Sequence, residues 1–246
     1  MRHPERITQA SRLPPWLDRE HEARYAFCRA LVTGRSVLDC GSGEGRGSRS
    51  IVEGKPRMMF AVDRAIDAVQ RVPRTTNGRV RAVTASAEQL PLRRDSVEVV
   101  VALELIEHID RPDALLHDVA AGLRSDGVFV CSTPNRIVRN PRTTLHSKPL
   151  NPWHVVEWTP DEFQSMLERF FTKVVLYGQS PQSRRTTRLF DTVAVVWRRG
   201  AAILRQAVKF RRSVVPTPRN FYDPRPIAED ADYEFIVAKC TGPRRA

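Results

Sequence analysis

A glycine-rich stretch that follows a short apolar run constrains the fold of this chain more than any other feature. Ser36–Ile51 reads SVLDCGSGEGRGSRSI, so Val37 and Leu38 lead into Asp39 and then into four glycines at alternate positions. Glycine tolerates positive φ and lets a ligand approach the backbone, and the N-terminus of the following helix suits an anionic group. The pattern predicts the strand, tight turn and helix that open a nucleotide-binding α/β domain.

The spacing of the glycines indicates which nucleotide such a domain binds. The dinucleotide fingerprint G-x-G-x-x-G does not fit, because its third glycine position holds Arg46. The stretch V-L-D-x-G-x-G-x-G resembles motif I of the class I S-adenosylmethionine (SAM) dependent methyltransferases. The resemblance implies SAM as the cofactor, held at Asp39, Gly41, Ser42 and Gly43. The alternative is an ordinary glycine loop in another α/β protein.

The end of the second predicted strand, Met58–Val62, carries the next part of this pattern. Asp63 lies about 20 residues past the glycines, where an acidic side chain accepts hydrogen bonds from ribose hydroxyls. The family resemblance implies the same role and includes Arg64 in the cofactor site. The competing interpretation is that Asp63 caps the helix that follows.

Two later strands complete the predicted cofactor site. Many family members have Asp where this chain has Ser86, so the adenine contact falls to the Ser86 hydroxyl or the backbone of Ala87. The run Val97–Leu103, VEVVVAL, is typical of a parallel strand buried on both faces. Its last residue, Leu103, is assigned to the cofactor site.

The alternation of strands and helices predicts an α/β fold. We expect a doubly wound, mostly parallel, seven-stranded Rossmann-like sheet. By resemblance its last strand, Tyr233–Cys240, is antiparallel, at the sheet edge, and paired to strand six, Lys173–Tyr177. The 246 residues are expected to form one domain, 1–246. That domain begins with a helical cap at 1–34, has a loop at 136–152, and carries a basic insertion at 178–230 before the last strand.

Composition limits the partners and the location. The net charge of +12 is compatible with nucleic acid or with peripheral contact to an anionic membrane, or it reflects an arginine-rich proteome. No transmembrane segment and no signal peptide are expected. The four cysteines lack metal-type spacing, which favours a reducing, cytoplasmic setting. Oligomeric state stays open.

Two groups of residues are candidates for the chemistry. Glu104, Glu107 and His108 have the spacing of one helical face, and His154 and Glu157 follow the fifth strand. This pattern, with T-P-N between the groups, resembles the Hen-type small-RNA 2′-O-methyltransferases. Their two Glu and two His hold a magnesium ion, which here implies Glu104, Glu107, His108 and His154 as ligands.

The same residues also fit methyltransferases that act on small molecules, sugars or glycans, and we favour this interpretation, without a metal. Glu104 then contacts SAM or the acceptor, His108 is structural or catalytic, and His154 is a general base or a pocket wall. The remaining histidines, His3, His21, His117 and His146, are expected at the surface. A third hypothesis is a non-catalytic SAM-fold protein that docks a partner or membrane through its basic insertion.

Overall fold

The computed structural model of the chain describes residues 14–183, 221–228 and 231–245. Eight strands in these residues form one sheet in the order β3-β2-β1-β4-β5-β8-β6-β7. The strands are β1 Ser36–Cys40, β2 Met58–Asp63, β3 Arg81–Thr84, β4 Val97–Leu103, β5 Leu123–Pro134, β6 Phe171–Ser183, β7 Arg225–Pro226 and β8 Ala231–Pro243. Neighbours among β1 to β5 run parallel, whereas β8 is antiparallel to β5 and β6, and β7 is antiparallel to β6.

Helices cover both faces of this sheet, as a doubly wound fold requires. Buried apolar residues form two clusters: one includes the core-facing residues of α5 and α7, and the other includes those of α1 and α2. The helices are α1 Pro15–Arg29, α2 Arg46–Val52, α3 Ile66–Val69, α4 Val72–Thr75, α5 Pro112–Gly122, α6 Arg136–Arg139 and α7 Pro160–Glu168. A capping box of Thr159 and Glu162 begins α7.

The central strand β4 shows why its sequence is almost wholly apolar. Successive side chains of a strand point to opposite faces, and both faces of β4 are covered. Val100 and Ala102 belong to the cluster under α5, whereas Val99 and Val101 belong to the cluster under α2. The fold class predicted from the sequence is therefore confirmed.

Three details of the predicted topology were wrong. The described sheet has eight strands rather than seven, because β7 pairs with β6 at Tyr177↔Pro226 and Gly178↔Arg225. The last strand lies between β5 and β6 rather than at the edge. The range 136–152 is not all loop, since the Asn135 side chain accepts a hydrogen bond from the Ile137 N–H and begins α6.

The basic insertion predicted at 178–230 falls mostly outside the described residues. Of that range, 178–183 belongs to β6 and 225–226 to β7. The residues at 184–220 and 229–230 are not described. Within the described residues, no helix combines the length and apolar character needed to cross a bilayer.

Helix α1 packs directly on α2, at the glycine-rich stretch. A Cβ atom added to Gly47 would lie 2.0 Å from a ring atom of Tyr25, so only glycine allows this approach. The Ser50 hydroxyl donates to the Glu22 carboxylate at 2.7 Å, and Arg46 forms an ion pair with Asp18. The N-terminal helix is thereby held against the start of α2.

We expect Gly47→Ala to destabilise the protein by about 1–3 kcal/mol, the usual cost of forcing an extra carbon into a packed site. The free energy of unfolding in urea measures this effect. Arg49→Ala is the matched control, because Arg49 is exposed on the same helix. Equal stability of the two variants would show that Tyr25 moves aside at no cost.

Candidate active site

One cavity of ≈ 860 Å³ lies beside the carboxyl ends of β1, β2 and β4, where open α/β sheets bind ligands. It brings together nearly all the site residues predicted from the sequence, namely Gly41, Ser42, Gly43, Asp63, Arg64, Ser86, Ala87, Leu103, Glu104, Glu107, His108 and His154. Asp39 does not line it. The predicted positions, distant in sequence, therefore share one site.

The glycine loop forms a cradle that excludes side chains. Gly41 has φ +75°, and a Cβ there would lie 2.8 Å from the Leu105 side chain. The neighbouring Ser42 hydroxyl is buried and makes no hydrogen bond to any described residue. An orphaned buried hydroxyl needs a partner, and the polar end of a bound ligand would supply one.

Asp63 ties the loop to the end of β2. One carboxylate oxygen accepts from the Gly43 N–H at 2.8 Å, and the other accepts from the Ala65 N–H at 2.9 Å. Asp63 also lines the cavity. The helix cap proposed as an alternative is not formed, because Ala65 is the N-cap of α3 and no side chain caps that helix. The ribose role remains a prediction that the position allows.

Asp39 acts one layer below the cavity. Its carboxylate is buried and accepts from the Ser48 hydroxyl at 2.5 Å. Burial raises the pKa of Asp39 from its ordinary 3.8 to about 7, although the Ser48 hydrogen bond opposes this shift. Asp39 therefore positions the first turn of α2, which follows the glycine loop.

This raised pKa has a consequence for stability. Between about pH 4 and pH 7, folded Asp39 retains a proton that the unfolded chain has lost, so its contribution to stability falls as the pH rises. We expect Asp39→Asn to remove that decline. Its unfolding free energy relative to the parent protein should rise by roughly 1–3 kcal/mol between pH 5 and pH 8. Parallel profiles for the two proteins in urea unfolding would contradict this.

Helix α1, which lies in the helical cap predicted at 1–34, supplies a wall of the cavity through residues that the sequence did not single out. Leu17, His21 and Tyr25 line it. His21, expected at the surface, is half-buried. Burial, and after it the positive charges of Arg24 and Arg46, hold the pKa of His21 well below its usual value. The helical periodicity of α1 was visible in the sequence, but the face that meets the cavity was not.

Ser86 lines the cavity and also stabilises its own turn. The Ser86 hydroxyl accepts from the Glu88 N–H at 3.2 Å, and its side chain is exposed. Ala87 is half-buried beside it. Both choices for the adenine contact therefore remain predictions.

Glu104 lines the cavity and directly follows β4. Its φ of 50° is in the left-handed region, which is uncommon for a residue with a side chain. The Ser132 hydroxyl accepts from the Glu104 N–H at 3.0 Å and donates to its carboxylate at 2.7 Å. Such backbone strain, held in place by a neighbour, is typical of functional positions.

Glu107 is buried in the next turn, with 1% of its surface exposed. Among the described residues no group makes a hydrogen bond with either carboxylate oxygen. Burial, and then the charge of Glu104, raises the pKa of Glu107 well above its usual value, and the Glu107 N–H and the Thr133 hydroxyl oppose the shift from positions outside hydrogen-bond geometry. The Glu107 carbonyl accepts from the Val155 N–H at 2.7 Å, which joins this turn to the segment that carries His154.

The two histidines lie edge to face, with ring centroids 4.8 Å apart. His108 Nδ1 lies 3.0 Å from the Trp153 carbonyl, and His154 Nδ1 lies 2.6 Å from Glu157 Oε1. His154 Nε2 lies 2.8 Å from the Asn151 amide nitrogen, whose oxygen accepts from the Trp153 N–H. His154 is thus held on both sides, and ligand atoms of Glu107, His108 and His154 all lie within 4.8 Å of one another.

Comparison with known proteins identifies the family. A family model described as a methyltransferase domain matches residues 16–176. A probable S-adenosylmethionine-dependent methyltransferase of Mycobacterium tuberculosis is 32% identical over 221 residues, which cover 89% of this chain and 76% of the relative. The chain belongs to the SAM-dependent methyltransferases. SAM is therefore the cofactor of this methyltransferase, as the glycine pattern predicted.

Other relatives agree with this assignment. A ubiquinone biosynthesis O-methyltransferase of Idiomarina loihiensis is 31% identical over 134 residues, which cover 52% of each chain. The crystal structure of a SAM-dependent methyltransferase of Thermotoga maritima, described as a possible histamine N-methyltransferase, has a TM-score of 0.61 at 12% identity. That match covers 92% of this chain and 93% of the other, and it supports the fold alone. These relatives lend no support to the Hen-type resemblance.

Proposed function

We propose that this methyltransferase moves the methyl group of SAM to a hydroxyl of a small molecule, sugar or glycan. The observation that carries the proposal is a set of proton-accepting groups in the lining of the cavity. Glu104, Glu107, His108 and His154 all line it. An oxygen nucleophile must lose its proton on methylation, and carboxylates and imidazoles are the side chains suited to accept it.

A second group of lining residues is assigned to the cofactor. Gly41, Ser42, Gly43 and Asp63 also line the cavity, and we assign them to SAM. Bound SAM supplies an electrophilic methyl group on a sulfonium. The protein then has to hold the acceptor oxygen in line with that methyl group and exclude water, and positioning of this kind supplies much of the rate.

His154 is placed to take the acceptor proton. Glu157, which is 3% exposed, faces Nδ1, and the Asn140 amide donates to the other Glu157 oxygen at 3.1 Å. The carboxylate fixes the Nδ1–H tautomer and stabilises the ring if Nε2 gains a proton. Nε2 is the basic atom. The Asn151 amide, which lies beside it, must move away before the hydroxyl of the methyl acceptor can reach Nε2.

The activity named for one relative points in the same direction. The Idiomarina loihiensis protein is an O-methyltransferase of ubiquinone biosynthesis, so a hydroxyl acceptor has a precedent among the relatives. The described cysteines Cys28, Cys40, Cys131 and Cys240 are all buried and unpaired. We therefore keep a reducing, cytoplasmic setting as part of the proposal.

The test is transfer of radioactive methyl from SAM into separated fractions of a host extract: small molecules, glycans, lipids, protein and RNA. We expect label in the small-molecule or glycan fraction, as a methyl ether when the product is analysed by NMR. Label on a nitrogen would overturn the hydroxyl assignment. Label at RNA ends would favour an RNA 2′-O-methyltransferase, and binding to RNA should then weaken steeply with salt.

One outcome would support a non-catalytic protein. If the chain fails to bind SAM at high concentration and labels no fraction, its basic insertion becomes the candidate for partner or membrane docking. Calorimetry with SAM, run on the same preparation, separates this outcome from a missing acceptor.

A further inference from the structure

Glu107 is the carboxylate in the described part of the molecule that has both oxygens buried and without a hydrogen bond. An ionised carboxylate in that position is costly without a positive partner, and a protonated one would leave an O–H donor unsatisfied. The Thr133 hydroxyl is also unpaired, but it can satisfy only one of the two oxygens.

Two imidazoles each have a ligand atom within 4.8 Å of this carboxylate, and the Nδ1 atom of each ring has its own partner. The Trp153 carbonyl can only accept, so His108 Nδ1 carries the hydrogen and Nε2 carries the lone pair. In His154 the Glu157 carboxylate selects the same tautomer. A histidine that binds a metal through one nitrogen almost always donates its other N–H to a carboxylate or carbonyl. Both rings show that arrangement before any ion is bound.

The donor set indicates the class of ion. Glu107, His108 and His154 offer one carboxylate and two imidazoles within 4.8 Å of one another. Magnesium prefers oxygen ligands throughout, whereas imidazole suits zinc and neighbouring transition metals. Two His, one Glu and an open fourth position are a known catalytic zinc arrangement.

The magnesium set implied by the Hen-type resemblance does not fit these residues. Glu104 is not part of the cluster of ligand atoms found among the described residues. Its carboxylate accepts from the Ser132 hydroxyl instead. Without Glu104, the possible ligands are two imidazole nitrogens and one carboxylate, and magnesium binds poorly to a ligand set in which nitrogen predominates.

We propose that Glu107, His108 and His154 bind a transition-metal dication of the zinc class, with an open position toward the acceptor. The Asn151 amide, 2.8 Å from His154 Nε2, gives up that nitrogen when the ion binds. Binding of the ion does not depend on the proposed function. Its role does, since a bound ion lowers the pKa of a hydroxyl that coordinates to it and then replaces His154 Nε2 as the group that activates the acceptor.

The experiment uses the full chain after dialysis against EDTA, without acceptor. Titration with Co²⁺ is followed by visible d–d absorption, and Zn²⁺ and Mg²⁺ are added as competitors. We expect one equivalent of Co²⁺ to bind, Zn²⁺ to displace it, and a large excess of Mg²⁺ to leave it in place. No saturable Co²⁺ signal, or displacement by Mg²⁺, would overturn the proposal.

Variants assign the signal to this cluster. Glu157→Gln, which changes the outer partner of His154, should weaken Co²⁺ binding roughly 10–100-fold, and Glu107→Gln should weaken it further. His117→Gln is the matched control, because His117 is exposed on α5. Asn151→Ala should bind Co²⁺ at least as tightly as the parent. Retained SAM binding shows that each variant is folded.

These results are separable from the proposed function. Metal binding with no methyl transfer to a hydroxyl would leave this site standing and remove the acceptor assignment. Methyl transfer to a hydroxyl with no metal binding would do the reverse. Loss of the Co²⁺ signal in His117→Gln, but not in Glu107→Gln, would place the ion at the surface and contradict the proposal.

Discussion

Asp63→Ala is expected to weaken SAM binding by about 100-fold or more. The substitution removes the carboxylate that we predict to accept hydrogen bonds from the ribose hydroxyls of SAM. The same carboxylate accepts from the Gly43 and Ala65 N–H groups and lines the cavity beside the glycine loop. Hydrogen bonds to a charged group contribute about 1.5–3 kcal/mol each, and about 1.4 kcal/mol corresponds to a tenfold change in affinity. Calorimetric titration with SAM measures the loss.

Two further variants make this result specific. Asp63→Asn keeps one acceptor oxygen and should fall between the parent and Asp63→Ala. Asp67→Asn is the matched control, since Asp67 lies on the exposed side of α3 and pairs with Arg71 at 3.7 Å. Parent-like SAM affinity in Asp63→Ala would remove Asp63 from the cofactor site and leave it a purely structural role.

His154→Gln is expected to lower the rate of methyl transfer by about 100- to 10,000-fold, the usual contribution of a positioned acid–base group. Its affinity for SAM should change little, because we assign His154 to the acceptor and not to the cofactor. Glutamine can still donate to the buried Glu157 carboxylate, which limits the effect on folding. The measurement is turnover on the labelled acceptor fraction at saturating SAM.

His117→Gln provides the comparison for this rate. His117 is exposed on α5 and lies 3.4 Å from Asp118, so its loss should leave turnover unchanged. Parent-like turnover in His154→Gln would show that neither proton transfer nor metal binding by His154 contributes to the reaction. Equal losses in both variants would point to a general effect on folding.

The parts of the molecule encoded by local sequence were predicted well. The glycine stretch specified a tight turn because only glycine adopts the positive φ at Gly41, Gly43 and Gly45 without strain. The apolar run of β4 specified burial on both faces. These patterns lie within a few residues of one another, so a single stretch contains all the information they need.

The features that escaped prediction depend on residues far apart in the chain. Buried Arg24 in α1 donates to Gln179 of β6 at 2.5 Å, and the Gln179 amide donates to the Glu20 carbonyl at 2.8 Å. In the sequence these polar residues look like ordinary surface positions. The pairing of β6 with the sheet places Gln179 under α1, and these hydrogen bonds can form only then.

The candidate site shows the same division. Its residues were named from spacing and resemblance, but the roles of Glu104 and Glu107 differ because of their surroundings. Ser132, from the neighbouring strand, engages Glu104, whereas no described group makes a hydrogen bond with Glu107. Sequence spacing placed the two carboxylates together and carried no information about that difference.

The position of β8 has a consequence for how the chain acquires its structure during synthesis. Strand β8, Ala231–Pro243, lies between β5 and β6 in the sheet and is synthesised after every other described strand. Until it emerges from the ribosome, β5 presents an unpaired edge to which another chain can add, and β6 has no place in the sheet. The nascent protein therefore has to remain shielded from the synthesis of β5 until that of β8, and the closing step is a pairing of distant segments, which is intrinsically slow.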